Sequence, residues 1–224
     1  MEAFDRASDF WQWVALIPPL VFAITVHEVA HGWVAKQFGD PTAAEAGRLT
    51  LNPIKHIDLI GTILVPAMLV WLVGFPFGWA KPVPVNFARL NHPKRDMVLV
   101  AAAGPGSNLL MALFWTLVLA IGRLYVPIWG EGNMNLLIDD MAQLGILVNL
   151  ILAVFNMLPI PPLDGGRVLS GLLPAPASKV LDTIEPFGML IVLGALVLDQ
   201  MTSVEIFAPL VLTPVARISD LYGE

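Results

Sequence analysis

The stretch WVALIPPLVFAITVHEVAHGWVAKQF, residues 13–38, decides how the rest of the chain is read. It exceeds the roughly 20 apolar residues a helix needs to cross hydrocarbon, and Gly39-Asp40-Pro41 stops it. Yet it holds His27, Glu28 and His31 within five positions. A charged side chain at the centre of a membrane helix costs about 2.5–3.5 kcal/mol on insertion scales, so three ionisable groups together need a purpose. Residues i and i+4 lie one turn apart on one face, which lets both imidazoles reach a single ion. Glu28 sits about 100° round from His27, beside such an ion rather than on it. From there a carboxylate can take a proton from water and return it to a leaving amine. The pattern arises by chance in under about 1% of chains this long. The competing reading is that the three residues pair among themselves or with a neighbouring helix.

Bulk properties agree with a membrane setting. Hydrophobic residues make up 57% of the 224 and charged residues 13%, with a mean hydropathy of +0.75; soluble domains carry about 25% charged residues. A net charge of -6 argues against a nucleic-acid partner, which wants a basic surface. Cysteine is absent, so any metal must be held by His, Asp or Glu. Residues 1–10 carry one Arg against Glu2, Asp5 and Asp9, the wrong sign for the basic start of a cleavable signal, and the first apolar stretch is read as retained.

Three more segments are long enough to cross: about 59–79, 97–126 and 136–158. A candidate over 187–198 is barely long enough, and 206–215 is too short. The expected fold is all-α and integral to the membrane: a polytopic helical bundle of about four to six membrane segments, forming one domain over 1–224. The loops at 36–58 and 80–96 hold seven of the twelve Lys and Arg, which places both in the cytoplasm. Segment 59–79 lies between them and cannot then be a single crossing. Its Pro66, Gly74, Pro76 and Gly78 suit a hairpin or re-entrant element. Helix one then runs inward, with His31 about 10 Å from its inner end, close enough for water to reach it from the cytoplasm.

Two histidines leave a tetrahedral site one protein ligand short. His56 and His92 lie in the basic loops and read as solvated. Asp164 is the better candidate, in the Pro- and Gly-rich break after the fourth segment. Taken alone it reads better as the cap of a helix starting near Gly165; only the missing third ligand turns the reading toward metal.

These residues resemble a known family. His-Glu-x-x-His in a membrane helix, Gly104-Pro105-x-Ser107-Asn108, Asn156-x-x-Pro159 and Leu163-Asp164-Gly165 resemble, in that order, the site-2 protease family of intramembrane zinc proteases. The likeness runs from about residue 20 to 200. Gly47-Arg48 to Asp58, and Trp79 to Asn86, are similar to its compact bacterial branch without PDZ or CBS domains. The resemblance implies one zinc ion held by His27, His31 and Asp164, with Glu28 as base and Asn156 as a polar helper to substrate or oxyanion. It implies cleavage of single-pass membrane proteins within the lipid bilayer of a bacterial inner membrane, from a site near the cytoplasmic side. Asn156 also pairs with Asn149 at i, i+7, a spacing that serves helix–helix contact as well. Gly104 and Asn108 read as close packing of the third helix on the site.

The loops at the cytoplasmic side are expected to carry a small extended or β element, Lys81 to Asn86. Pro82 and Pro84 blank one edge, while Val83 and Val85 keep N–H donors on the other. Such an edge suits strand addition by an unwound substrate; the alternative is that the prolines guard an exposed edge against aggregation. A zinc-binding membrane scaffold or transporter is the rival function, and it has no use for Glu28.

Overall fold

The computed structural model describes residues 6–74, 76–129, 133–202 and 205–223. Helix α1 (Arg6–Gln37) carries the His-Glu-x-x-His stretch. Helices α4 (Pro93–Trp129) and α5 (Asn133–Asn156) pack against it and against each other. Among the described residues, four helical stretches are long and apolar enough to cross a membrane: Val14–Gln37, Pro93–Leu124, Leu137–Asn156 and Ala175–Met201. Where the helices cross, the contact residues are small: Ala23, Ala112 and Ala142 are fully buried. Apolar burial distinguishes nothing between helices in lipid, so close backbone approach through small residues drives the packing. Trp115 of α4 lies against Gly145 of α5, where a Cβ would come within 2.5 Å of the indole. Outward-facing Leu110, Leu117, Ile121, Phe187 and Leu190 are all exposed, an apolar belt suited to lipid.

One expectation about the membrane segments changes. The 187–198 candidate is the second half of α7 (Ala175–Met201), a full-length helix. Pro186 sits inside it, so the proline and the polar run before it, with Lys179, Asp182 and Glu185, do not mark a boundary. Segment 59–79 turns back on itself, as its Pro and Gly pattern suggests. It forms a π-helical turn over Leu59–Leu64 and a short α3 (Val65–Val73), closed by Gly74 in the left-handed region at φ 75. The chain then returns to its own start. Trp79 N–H donates to Gly61 O at 3.0 Å and Lys81 N–H to His56 O at 2.9 Å. Gly61 makes this possible, because a Cβ there would meet the Trp79 indole at 2.3 Å. The two basic loops therefore meet at one end of the bundle.

No β-strand occurs among the described residues, so the β element expected near Lys81 to Asn86 does not form as a ladder; 76–86 runs without helix or strand. His56, expected to be solvated, is buried: its Nε2 donates to Thr50 O at 2.9 Å. His92 is exposed, as expected. The short α2 (Thr42–Glu45) follows α1 and is tied to the second basic loop by Arg89, which pairs with Glu45 at 2.9 Å. Residues of the 206–215 stretch make a π-helical turn over Ala208–Leu212 and enter α8 (Thr213–Gly223). Val211 and Val215 seal against Ala112 and Leu150 of the bundle.

Candidate metal centre

On α1 the i, i+4 spacing sets His27 and His31 on one face with their Nε2 atoms 3.1 Å apart. Both rings are held from behind. His27 Nδ1 meets Asn108 Oδ1 of α4 at 2.6 Å, and His31 Nδ1 donates to the Val100 carbonyl at 2.7 Å. Gly104 lies between these two supports on α4. A Cβ there would stand 2.3 Å from His31 Nε2 and 2.6 Å from His27 Cε1, so glycine lets α4 approach the imidazoles edge-on.

Asp164 arrives from the other side as the first residue of α6 (Asp164–Leu172). The 157–163 turn aims it. A Cβ on Gly165 would meet Met157 O at 2.3 Å, and one on Gly166 would meet Pro161 N at 2.5 Å. Asp164 makes no side-chain cap of its own helix; its Oδ2 lies 3.2 Å from His27 Nε2 and 3.3 Å from His31 Nε2.

These three atoms fit a metal. With both Nδ1 atoms bonded to oxygen, both Nε2 lone pairs turn toward a carboxylate oxygen, and only a cation can sit among them. Asp164 Oδ2 is buried with no hydrogen-bond partner to relieve it. Edges of 3.1, 3.2 and 3.3 Å match the roughly 3.3 Å between donors of a tetrahedral zinc bonded at about 2.0–2.1 Å. Among the described residues, His27, His31 and Asp164 are the group of His, Asp or Glu that could hold an ion.

Glu28 faces the other loop. The N–H of Val83 donates to its Oε2 at 2.7 Å, so the donor expected to be open on this edge is engaged by the carboxylate beside the triad. The same segment is fixed at Lys81, whose carbonyl accepts Arg48 Nη2 at 2.9 Å, and at Asn86, whose N–H donates to Asp40 Oδ2 at 2.6 Å. Val85 packs beside Ala35 and Val100. Asn156, at the end of α5, is half-buried and donates to Leu152 O at 2.9 Å; no hydrogen bond joins it to the triad or to Glu28.

Asn108 is more than packing. It touches His27 and also donates to Asn149 Oδ1 of α5 at 2.9 Å, with both amides fully buried. The available signal was an Asn inside an apolar helix, four residues after Gly104, where a polar group needs a partner.

A protein of Bacillus subtilis (strain 168) described as "Putative zinc metalloprotease YwhC" is 42% identical over 182 residues, covering 80% of this chain and 78% of its own length. The family model for peptidase family M50 matches residues 124–198. The chain belongs to peptidase family M50, the site-2 protease family. Within the matched part of this M50 chain lie Asn156 and Asp164, while His27, Glu28 and His31 precede it. Other relatives carry the description "Putative zinc metalloprotease Rip2". That of Mycolicibacterium smegmatis is 30% identical over 186 residues, 82% of this chain and 67% of its own. That of Mycobacterium tuberculosis (strain H37Rv) is 30% identical over 180 residues, 80% and 65%. No solved structure matches the M50 chain.

Proposed function

We propose that this M50 peptidase is a zinc metalloendopeptidase that cleaves single-pass membrane proteins in or near their membrane-spanning segments. The observation that carries the reading is the meeting of two Nε2 lone pairs and a carboxylate oxygen on a helix able to span the membrane. His27, His31 and Asp164 would hold one zinc ion per chain. The chemistry zinc supplies in such a set is Lewis acidity toward a peptide carbonyl and the attacking water.

The chain's own residues do the rest. Glu28, next to the triad but outside it, takes the proton of the attacking water on a carboxylate oxygen and passes it to the leaving amine. A helical substrate hides its carbonyls in its own hydrogen bonds, so it must unwind before attack. Residues 81–86 offer it a place to do so. A substrate carbonyl that accepts the Val83 N–H takes the place of Glu28 Oε2, and this exchange frees the base at the moment substrate docks. Val85 extends the same edge. Asn156 stands at the end of α5, just before the turn that delivers Asp164, where its amide can meet substrate. The basic loops at the His31 end of α1 favour the cytoplasmic side of a bacterial inner membrane, with water supplied from there.

The test is Glu28→Gln assayed on a single-pass substrate in liposomes. Zinc content equal to wild type with cleavage lost supports the peptidase; cleavage intact supports a scaffold or transporter that uses the same ligands.

A further inference from the structure

We infer that Asn108 and Asn149 are positioning residues that fix the proton of His27 on Nδ1 and so turn its Nε2 lone pair toward Asp164. The inference rests on the metal reading of the triad and adds a relay outside it. Its direction follows from where it starts. Asn149 Nδ2 donates to the Gly145 carbonyl at 2.8 Å, an oxygen that can only accept. Asn149 must therefore present Oδ1 to Asn108, which answers with its own Nδ2 at 2.9 Å. A second carbonyl, Ala23 O at 3.3 Å, draws that same Nδ2. Asn108 has no freedom left to turn its amide. Its Oδ1 faces His27 Nδ1 at 2.6 Å, and an oxygen of this kind admits only a protonated nitrogen.

The relay crosses α4 and α5 and ends on α1, and Asn108 and Asn149 are both fully buried. His31 shows the contrast. Its Nδ1 is fixed by a main-chain carbonyl, Val100 O, which no side-chain substitution removes. The two ligands of one helix are thus oriented by different means, and only His27 depends on side chains. A reversed amide at either Asn would offer His27 a donor, move its proton to Nε2, and place N–H where the ion must sit.

The experiment measures zinc affinity of the full-length protein in detergent, by competition with a chromophoric chelator, together with the visible spectrum of the Co(II) form. Asn108→Leu is expected to weaken zinc 10- to 100-fold, the usual range for loss of a group supporting a ligand, and to alter the Co(II) bands. Asn149→Leu, which leaves Asn108 tied to Ala23 O, is expected to weaken zinc several-fold. Asn108→Asp keeps an acceptor for His27 Nδ1 and is expected to recover most of the affinity lost in Asn108→Leu. Wild-type affinity in Asn108→Leu or in Asn149→Leu overturns the inference, as does an Asn108→Asp protein no better than Asn108→Leu. Loss of thermal stability with unchanged affinity and spectrum shows a packing role and also overturns it. Wild-type protein that holds no zinc overturns the metal reading itself, a distinct outcome.

Discussion

Val83 and Glu28 are joined by a 2.7 Å hydrogen bond from backbone N–H to carboxylate oxygen. The bond ties the segment proposed to receive substrate to the group proposed as base. Gly32, one turn beyond Glu28, is part of the arrangement: a Cβ there would meet Val83 Cγ1 at 2.7 Å, so the segment can settle this low only over glycine. Replacing Val83 with Pro removes the donor and leaves the triad untouched. Zinc content should stay at the wild-type level while kcat/KM falls about tenfold or more, the worth of one hydrogen bond to a charged group or in a docked strand. Cleavage at the wild-type rate would remove Val83 from substrate docking.

Asp164 is the one anionic member of the triad and reaches it from a separate helix. Asp164→Ala leaves two imidazoles and no charge to offset the ion. Purified protein should lose its zinc, with affinity down at least a hundredfold, and cleavage should vanish with it. Elemental analysis of wild type and variant, side by side, decides this; equal metal content would show that the third ligand lies elsewhere.

Gly104 gives a steric test of the same centre. A methyl group at this position would lie 2.3 Å from His31 Nε2, well inside contact distance. Gly104→Ala should therefore push an imidazole off the triad and cut zinc affinity and activity together, with helix content unchanged by circular dichroism. Gly106, two residues on, meets nothing within 4 Å when given a Cβ, so Gly106→Ala should remain active.

What sequence could show was set by the range of the interactions. His27, Glu28 and His31 follow from the period of one helix, and the apolar runs in α1, α4 and α5 stand out by length. Asp164 needed an additional premise, a ligand count, because nothing local separates it from a helix cap. The Gly61–Trp79 closure is foreshadowed by the charge of its flanking loops and by the Pro and Gly residues of the segment, though not its specific contact. Partners far apart along the chain left weaker traces: Asn108 with His27, Val83 with Glu28, and His56 with Thr50. Each is a polar group whose bond is made only when separate segments meet. Helix α7 was obscured for a different reason, since Pro186 and charged neighbours imitate a boundary that packing overrides.

Asp40 supplies a pH-dependent prediction outside the membrane segments. Its carboxylate is fully buried, and it accepts the Asn86 N–H at 2.6 Å, the Thr42 N–H at 3.1 Å and the Thr42 hydroxyl. Burial alone would raise its pKa, but these bonds, with Arg89 nearby, hold the carboxyl below its ordinary value. A depressed folded pKa means that the stabilisation is complete above the unfolded value of about 3.9. It is lost as pH falls from there through the folded value. Because the Asn86 bond anchors the end of the 81–86 segment, that acid limb should also loosen the substrate loop. Asp40→Asn should cost about 1–3 kcal/mol at pH 7. It should also flatten the fall in unfolding temperature below about pH 4. Thermal unfolding of wild type and variant across pH 3–7 measures both effects; parallel curves for the two proteins would show that Asp40 does not carry the acid sensitivity.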